Sequence, residues 1–160
     1  MNQSLQQVAE FHRTFDHPIS EVPVIPDMKT VLFRLNFMRE ELDELEAAAK
    51  AGNIVEMADG LTDIQYVLNG FYLNCGLHKV KDALDTEVHR SNMSKACISQ
   101  GHADRTIASI EQTEGIECYS EQVGDVFVVK RKFDGKVMKA VGYSKPELFP
   151  VIYSDTLTNG

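Results

Sequence analysis

The sequence predicts a mainly α-helical protein, an antiparallel helical bundle with a small C-terminal β-hairpin or irregular extension. Three observations support this class. Apolar residues recur at helical spacing through most of the first 90 residues. Gly52 and Asn53 interrupt that pattern between two long segments, as a turn between antiparallel helices would. After Lys95 the helical period fades, and a β-branched, aromatic run appears at 125–132.

Length and composition are typical of one globular domain. The chain has 160 residues, 43% of them hydrophobic and 25% charged. A domain of this size and composition can bury a hydrophobic core without disulfides or a structural metal. We expect a single domain over residues 1–160, with a helical core at about 28–96 and an extension at 97–160.

The first fifteen residues suit a short amphipathic helix that ends near residues 16–18. Its apolar face carries Leu5, Val8, His12 and Phe15. Pro23 and Pro26 then deny helical hydrogen bonds to the chain, so we expect an extended linker before residue 27.

Two long helices follow the linker. Asp27 is a good N-cap for a helix that runs to about Ala51. Its predicted buried stripe is Val31, Leu35, Met38, Leu42, Leu45 and Ala49. A second helix begins near Ile54 and ends near Cys75. Its stripe is Ile54, Met57, Leu61, Ile64, Leu68 and Phe71. A third helix is expected from about His78 to Arg90.

The remainder of the chain is less regular. Residues 97–122 show little periodicity, although a helical turn is expected at 107–110. Residues 125–132 predict a strand that turns at 133–136 and pairs with Val137 and Met138. The Pro-punctuated tail at 143–152 is expected to pack against the helices.

Charge and cysteine usage limit the partners. A net charge of −8 argues against nucleic acid or an anionic membrane, since both need a basic surface. Three widely spaced cysteines, without a signal peptide or a long apolar run, indicate reduced thiols in a cytoplasmic protein.

Acidic residues carry the strongest chemical signal. Glu40, Glu41 and Glu44 share one side of the first long helix, and Asp59 and Asp63 share one side of the second. If the chain reverses near residue 52, Glu41 and Asp63 lie eleven residues on either side of the turn. An antiparallel pair therefore sets these carboxylates at matching heights.

Converging carboxylates repel one another unless a hard cation joins them, and magnesium suits a site completed by substrate phosphates. A solvated acidic helix face is the alternative. Two features oppose it. No lysine or arginine stands four residues after Glu40 or Glu41, and Asp59 and Asp63 interrupt an apolar run. A di-iron bundle would need Glu-x-x-His, which the chain lacks.

These residues resemble the all-α nucleoside triphosphate pyrophosphohydrolases, in particular their MazG-like and phosphoribosyl-ATP pyrophosphohydrolase-like branch. The resemblance rests on EELDE at 40–44, ADGLTDI at 58–64, VHRSNMSK at 88–95, and DGKVMK at 134–139 followed by Tyr143 and Pro146. It covers roughly residues 28–96 and 134–150.

The resemblance implies a helical bundle that forms a dimer or tetramer and hydrolyses a nucleoside triphosphate between its α- and β-phosphates. It implies Mg²⁺ held by Glu41, Glu44 and Asp63 or Asp59. Two features depart from the family pattern. Gly60 stands where a glutamate is usual, although Glu56-x-x-Asp59 gives the spacing in another register. The segment 97–133 is longer than the family's usual link.

The resulting hypothesis assigns metal binding, with Mg²⁺ or Mn²⁺, to Glu41, Glu44, Asp59 and Asp63. Glu40 and Glu41 are the candidate catalytic residues, with Glu40 orienting or deprotonating the attacking water. The candidate substrate-binding residues are Arg34, Asn92, Lys95 and Lys139. Each has a structural alternative: an ion pair for Arg34, a helix C-terminal cation for Lys95, and a surface role for Lys139. Tyr66 is expected in the core rather than against a base.

Two functional classes remain open. One is a Mg²⁺-dependent hydrolase that acts on dUTP, a non-canonical nucleotide or phosphoribosyl-ATP, the last being disfavoured by the long extension. The other is a non-catalytic helical oligomer that binds metal or nucleotide as a regulator.

Overall fold

The computed structural model describes residues 3–153, which form two compact units. The first, here called the helical unit, comprises residues 3–83 with 152–153. The second, here called the mixed unit, comprises residues 84–151. The predicted mainly helical class with a small antiparallel sheet is confirmed.

The helical unit contains α1 (Gln3–Thr14), α2 (Met28–Ala51) and α3 (Ile54–Asn74). The N-cap of α2 is Asp27, whose side chain accepts a hydrogen bond from the Thr30 amide. Gly52 ends α2 at φ 67°, where glycine carries no Cβ penalty. Asn53 caps α3. These three helices follow the predicted bounds, although Met1 and Asn2 lie outside the described residues.

The core of the helical unit lies between α1 and α3. Leu5, Val8 and Ala9 of α1 are buried with Leu73 of α3. The linker is tied to the end of α3, because the Ser20 amide donates to the Leu73 carbonyl oxygen over 2.9 Å. These contacts fix α1 against α3.

The predicted stripes of α2 and α3 are only partly buried. Leu42 is 53% exposed and Leu61 is 57% exposed, and Ala49 and Ile54 are also exposed. The expectation of one buried stripe per helix is therefore wrong at these positions. Each long helix has more apolar circumference than its partner covers.

The mixed unit takes in most of α4 (Lys81–Met93), then α5 (Gln100–Glu114), β1 (Cys118–Val123) and β2 (Val126–Arg131). A last short helix, α6, covers Leu148–Ile152. The strands pair antiparallel, with Cys118 opposite Arg131 and Val123 opposite Val126. The buried residues of its core are Cys97, Ala103, Ile110, Cys118, Val129 and Ala140.

Three predictions in this part of the chain need correction. The helix expected from His78 begins at Lys81, because residues 78–80 form a turn. Residues 100–114 form a full helix rather than a single turn. Its inward face includes a polar residue, Thr106, which is fully buried and donates to the His102 carbonyl oxygen. Because threonine does not count as apolar, the periodic pattern of buried residues in this helix was not visible in the sequence.

The third correction concerns β1, a strand that the sequence did not predict. β2 pairs with β1 through a tight turn at Gly124 and Asp125, where Gly124 has φ 58°. The predicted pairing with Val137 and Met138 is present on the other edge of β2, because Val137 forms an antiparallel bridge to Lys130 and the Met138 amide donates to the Val129 carbonyl oxygen over 2.8 Å. The strand β1 reads CYSEQV, whose polar residues gave little strand signal. The tail does pack on α4, since Tyr143 and Ser144 bond Ser91 and Ser94.

Candidate active site

A close approach of α2 and α3 sets the register of the acidic residues. Gly60 is buried, and a Cβ placed on it would lie 3.3 Å from the Leu45 Cβ. The two backbones therefore run close together at this level, because Gly60 has no side chain. Any longer side chain at residue 60, including the glutamate usual in the family pattern, would press against α2.

Glu41 lies at the centre of the acidic cluster, defined as Glu40, Glu41, Glu44, Asp59 and Asp63. Partial burial raises the pKa of Glu41, and the charges of Asp63, Glu44, Asp59 and Glu40 raise it further, in that order. Glu41 and Asp63 are half-buried, whereas the other three acids are exposed. The helix pair therefore brings together the five predicted acids.

Among the described residues, no lysine, arginine or histidine pairs with the acidic cluster. Within residues 3–153, none of the five carboxylates forms a salt bridge. In that same part of the chain, no three His, Cys, Asp or Glu side chains stand close enough to hold a metal ion as they are. The donor set nevertheless fits a hard divalent cation, because it consists of carboxylate oxygens.

Glu56 is less central than the sequence allowed. It lies in the first turn of α3, is exposed, and does not figure among the charges that raise the pKa of Glu41. Asp59 and Asp63 do. Among the acids of α3, the charges of Asp63 and Asp59 therefore act on Glu41.

Arg34 lies on α2 two helical turns before Glu41. Its Nε donates to Asn74 Oδ1 over 2.7 Å, and its Nη2 lies 2.9 Å from His12 Nε2. The predicted alternative, an ion pair, is not seen, since no carboxylate within residues 3–153 bridges it. Burial lowers the pKa of this guanidinium, although arginine stays charged.

Gly70 makes room for that guanidinium. A Cβ on Gly70 would lie 2.7 Å from Arg34 Nη1 and 3.1 Å from His12 Nε2. Gly70, Asn74 and His12 therefore fix the position of a half-buried guanidinium.

His12 is buried at 1% exposure and was predicted only as part of an apolar face. Its Nδ1 lies 3.0 Å from the Pro18 carbonyl oxygen, which can only accept a hydrogen bond. Nδ1 therefore carries the ring proton and donates it in this hydrogen bond, and Nε2 accepts a hydrogen bond from Arg34 Nη2. Burial is the main cause that lowers the pKa of His12 to about 4. A hydrophobic-pattern reading of the sequence could not separate this polar role from core packing.

Tyr66 is not a core residue, contrary to expectation. It is 37% exposed and its ring meets Phe11 edge to face, with 5.8 Å between centroids. It lines a cavity of about 290 Å³ on α3 together with Gln65 and Asn69. The Gln65 amide donates to Asn69 Oδ1 over 2.9 Å. Because both Gln65 and Tyr66 are exposed, this face of α3 contacts solvent.

The other predicted substrate residues belong to the mixed unit. Lys95 Nζ donates to Asn92 Oδ1 over 2.7 Å. Lys139 Nζ lies 5.0 Å from the centroid of the Tyr143 ring. Lys95 and Lys139 line the same cleft, so the structure brings these two predicted residues together.

Glu87 and Arg90 form a contact that the sequence did not indicate. Arg90 binds both carboxylate oxygens of Glu87, each over 2.7 Å. Glu87 Oε1 also accepts a hydrogen bond from the Glu147 amide. These bonds lower the pKa of Glu87 to about 2, with the Arg90 bond as the largest cause. They attach residues 144–147 to α4, because Arg90 also donates to Ser144 and to the Lys145 carbonyl oxygen.

Comparison with known proteins identifies the family of the chain. The family model described as phosphoribosyl-ATP pyrophosphohydrolase matches residues 8–92, which include the acidic cluster, Arg34 and Asn92. The chain is also similar to the uncharacterized protein L479 of Acanthamoeba polyphaga mimivirus, with 39% identity over 69 residues. That match covers 41% of this chain and 28% of the viral protein, so it spans less than a third of the relative. The chain belongs to the phosphoribosyl-ATP pyrophosphohydrolase family, which is part of the MazG-like superfamily.

Proposed function

We propose that the protein is a Mg²⁺-dependent nucleoside triphosphate pyrophosphohydrolase that cleaves the α–β phosphate bond and releases the monophosphate and pyrophosphate. The proposal extends to dUTP or a non-canonical nucleotide as the substrate. The observation that supports it most strongly is the raised pKa of Glu41 within a cluster of carboxylates. Four further carboxylates raise its pKa, and no cation of the described chain bridges any of the five.

Glu41, Glu44, Asp59 and Asp63 are the proposed ligands of the metal, with Mn²⁺ as a substitute for Mg²⁺. When bound, such an ion supplies charge neutralisation for the phosphates and activation of a water molecule. Glu40 is exposed at the edge of the cluster. Its proposed role is to orient the attacking water or to accept its proton.

Arg34 is the proposed phosphate contact of the helical unit. It stands seven residues before Glu41 on the same helix, a rise of about 10 Å along the axis. An extended triphosphate covers a span of that order, so a phosphate chain held at the acidic cluster can extend toward the guanidinium. Asn92, Lys95 and Lys139 of the mixed unit are proposed as further contacts to the nucleotide.

We further propose that the enzyme is a homodimer or homotetramer in the cytoplasm. Large apolar side chains of α2 and α3 remain exposed in the single chain, including Phe33 at 48%, Leu42 at 53% and Leu61 at 57%. Several large exposed apolar side chains on one helix pair are typical of protein interfaces. The three cysteines are unpaired, as in a reducing compartment. No helix within residues 3–153 is long and apolar enough to cross a membrane.

A nucleoside triphosphate panel with Mg²⁺ tests the reaction. We expect pyrophosphate and the monophosphate as the primary products, and loss of turnover in EDTA that Mg²⁺ restores. Orthophosphate as the primary product would contradict the proposal. Ligand-dependent melting shifts without any turnover would instead support the rival function, a non-catalytic oligomer that binds metal or nucleotide as a regulator.

A further inference from the structure

A cleft of about 390 Å³ opens in the mixed unit between the end of α5, the end of β2 and the chain that follows β2. Four of its lining residues are cations: Lys95, Arg131, Lys136 and Lys139. Glu114, at the last turn of α5, is the acidic residue among those that line it. All of these lining residues belong to the mixed unit, whereas the acidic cluster belongs to the helical unit.

Most of these cations lack a carboxylate partner. Arg131 is paired with Asp134, with Nε 2.8 Å from Oδ1. In the described part of the chain, Lys95, Lys136 and Lys139 form no salt bridge within 4.0 Å. Lys95, Lys136 and Lys139 outnumber Glu114, the one acid that lines the cleft, so an anion placed between the lysines would lower the electrostatic free energy.

Positive charge is concentrated in this part of an otherwise acidic protein. The whole chain carries −8, yet residues 84–151 contain nine Lys and Arg against ten Asp and Glu. Five of the nine fall within residues 130–139, where Asp134 is the acid. The cleft is therefore a local site of attraction for anions on a protein that otherwise repels them.

The remaining lining is apolar and comes partly from the long segment at 97–133. Ile110 and Ile116 belong to that segment, and Met138 follows it. Sulfur and aliphatic side chains provide a surface for a planar ring, whereas the lysines suit phosphate oxygens. A carboxylate such as Glu114 accepts hydrogen bonds from hydroxyl or amino groups. A volume near 390 Å³ also falls within the usual range for small-molecule sites, about 300–1,000 Å³.

We propose that this cleft binds a nucleotide, with its phosphate against Lys95, Lys136 and Lys139 and its ring on the apolar lining. The phosphate part of the proposal rests on the cleft alone, and the choice of a nucleotide rests on the proposed function. On this assignment α5 and β2 of the 97–133 segment line one side of the nucleotide-binding cleft.

Binding is tested with the full chain in EDTA, so that no divalent metal can join phosphate to the acidic cluster. Isothermal titration uses tripolyphosphate, inorganic phosphate and adenosine monophosphate as probes. We expect tripolyphosphate to bind, and Lys136→Ala and Lys139→Ala each to weaken it about tenfold, as the loss of one charge-assisted contact would. Lys132→Ala is the matched control, because Lys132 pairs with Glu117 and does not line the cleft.

Absence of tripolyphosphate binding, or equal affinity in the two variants and the wild type, would overturn the phosphate site. Adenosine monophosphate binding no more tightly than inorganic phosphate would overturn the nucleotide assignment. Steady-state kinetics then show whether the nucleotide in the cleft is the substrate or a separate effector. Lys136→Ala raises KM if the cleft holds the substrate. It leaves KM unchanged if the cleft holds a separate effector. A wild-type protein without turnover would contradict the proposed reaction and leave the binding result intact.

Discussion

The guanidinium of Arg34 lies 2.9 Å from the Nε2 of His12, a residue 22 positions earlier in the chain. His12 in turn uses its other ring nitrogen on the Pro18 carbonyl oxygen, which also accepts a hydrogen bond from Asn74. Neutral His12 thus orients an arginine that no carboxylate of the described chain bridges. This relationship, together with the acidic cluster, leads to the predictions below.

Gly70→Ala should impair the site more than the fold. The new Cβ would lie 2.7 Å from Arg34 Nη1, the end of a flexible side chain that can move away. We expect kcat/KM to fall about tenfold or more, while the melting temperature drops by only a few degrees. Steady-state kinetics and thermal melts measure the two effects.

Gly101→Ala provides the control for that experiment. Gly101 lies in the first turn of α5, where the nearest atom to an added Cβ is Arg105 Nη1 at 3.8 Å. The control should keep full activity and match or slightly exceed wild-type stability. Full activity in Gly70→Ala would show that the position of the Arg34 guanidinium does not matter for turnover.

The protein should lose stability as the pH falls from about 6.5 to about 4, in part because of His12. Its pKa is about 4 in the fold against 6.5 when unfolded, so the unfolded chain binds the extra proton in that range. Full stability is present above pH 6.5, and the loss is on the order of 3 kcal/mol. Arg34 and His17 face the ring and oppose its protonation.

His12→Gln tests that assignment, because glutamine keeps a donor and an acceptor but does not titrate. The free energy of unfolding, measured by denaturant titration at several pH values, should vary less with pH in the variant. His89→Gln, at an exposed position of α4, should keep the wild-type slope. An unchanged slope in His12→Gln would rule out His12 as its source.

Glu41→Gln should abolish turnover and leave the fold intact. The substitution removes the central charge of the acidic cluster and keeps the shape of a half-buried side chain. We expect kcat to fall by at least a hundredfold, with a circular dichroism spectrum like that of the wild type. Glu46→Gln, an exposed residue paired with Lys50, is the control. Retained activity would remove Glu41 from the site.

Glu87→Gln should weaken the attachment of residues 144–147 to α4. The Glu87 pKa of about 2 means that its bonds to Arg90 and the Glu147 amide are present above about pH 4.5 and lost as the pH falls toward 2. The wild type should therefore lose stability in that window, and the variant should lose less. Limited proteolysis at neutral pH should cut the variant faster within 144–147. Equal cleavage rates would show that Glu87 does not hold this segment.

Lys95→Ala should raise the substrate KM or lower kcat if Lys95 contacts phosphate. Its Nζ is held by Asn92 Oδ1, so Asn92→Ala should produce a smaller change in the same direction. Steady-state kinetics on the preferred triphosphate measure both. Kinetics identical to those of the wild type in Lys95→Ala would exclude Lys95 from substrate binding.

The sequence by itself determined the helical unit. Local features of the chain specify α2 and α3. These features are the N-caps Asp27 and Asn53, the glycine at residue 52 and the regular apolar spacing. Equal distances from the turn then place Glu41 opposite Asp63 by arithmetic alone. The acidic cluster was predictable for that reason.

Tertiary structure decided the rest, because the deciding contacts join residues far apart in the chain. The polar role of His12 depends on Arg34 and Asn74, 22 and 62 residues later. The helix at 100–114 is stabilised by burying a threonine that hydropathy does not count as core. The pairing of β1 with β2, and the cleft that gathers Lys95 and Lys136, arise from packing across the mixed unit. A local pattern carries no information about such partners, since the free energy that selects them comes from burial and hydrogen bonding in the folded chain.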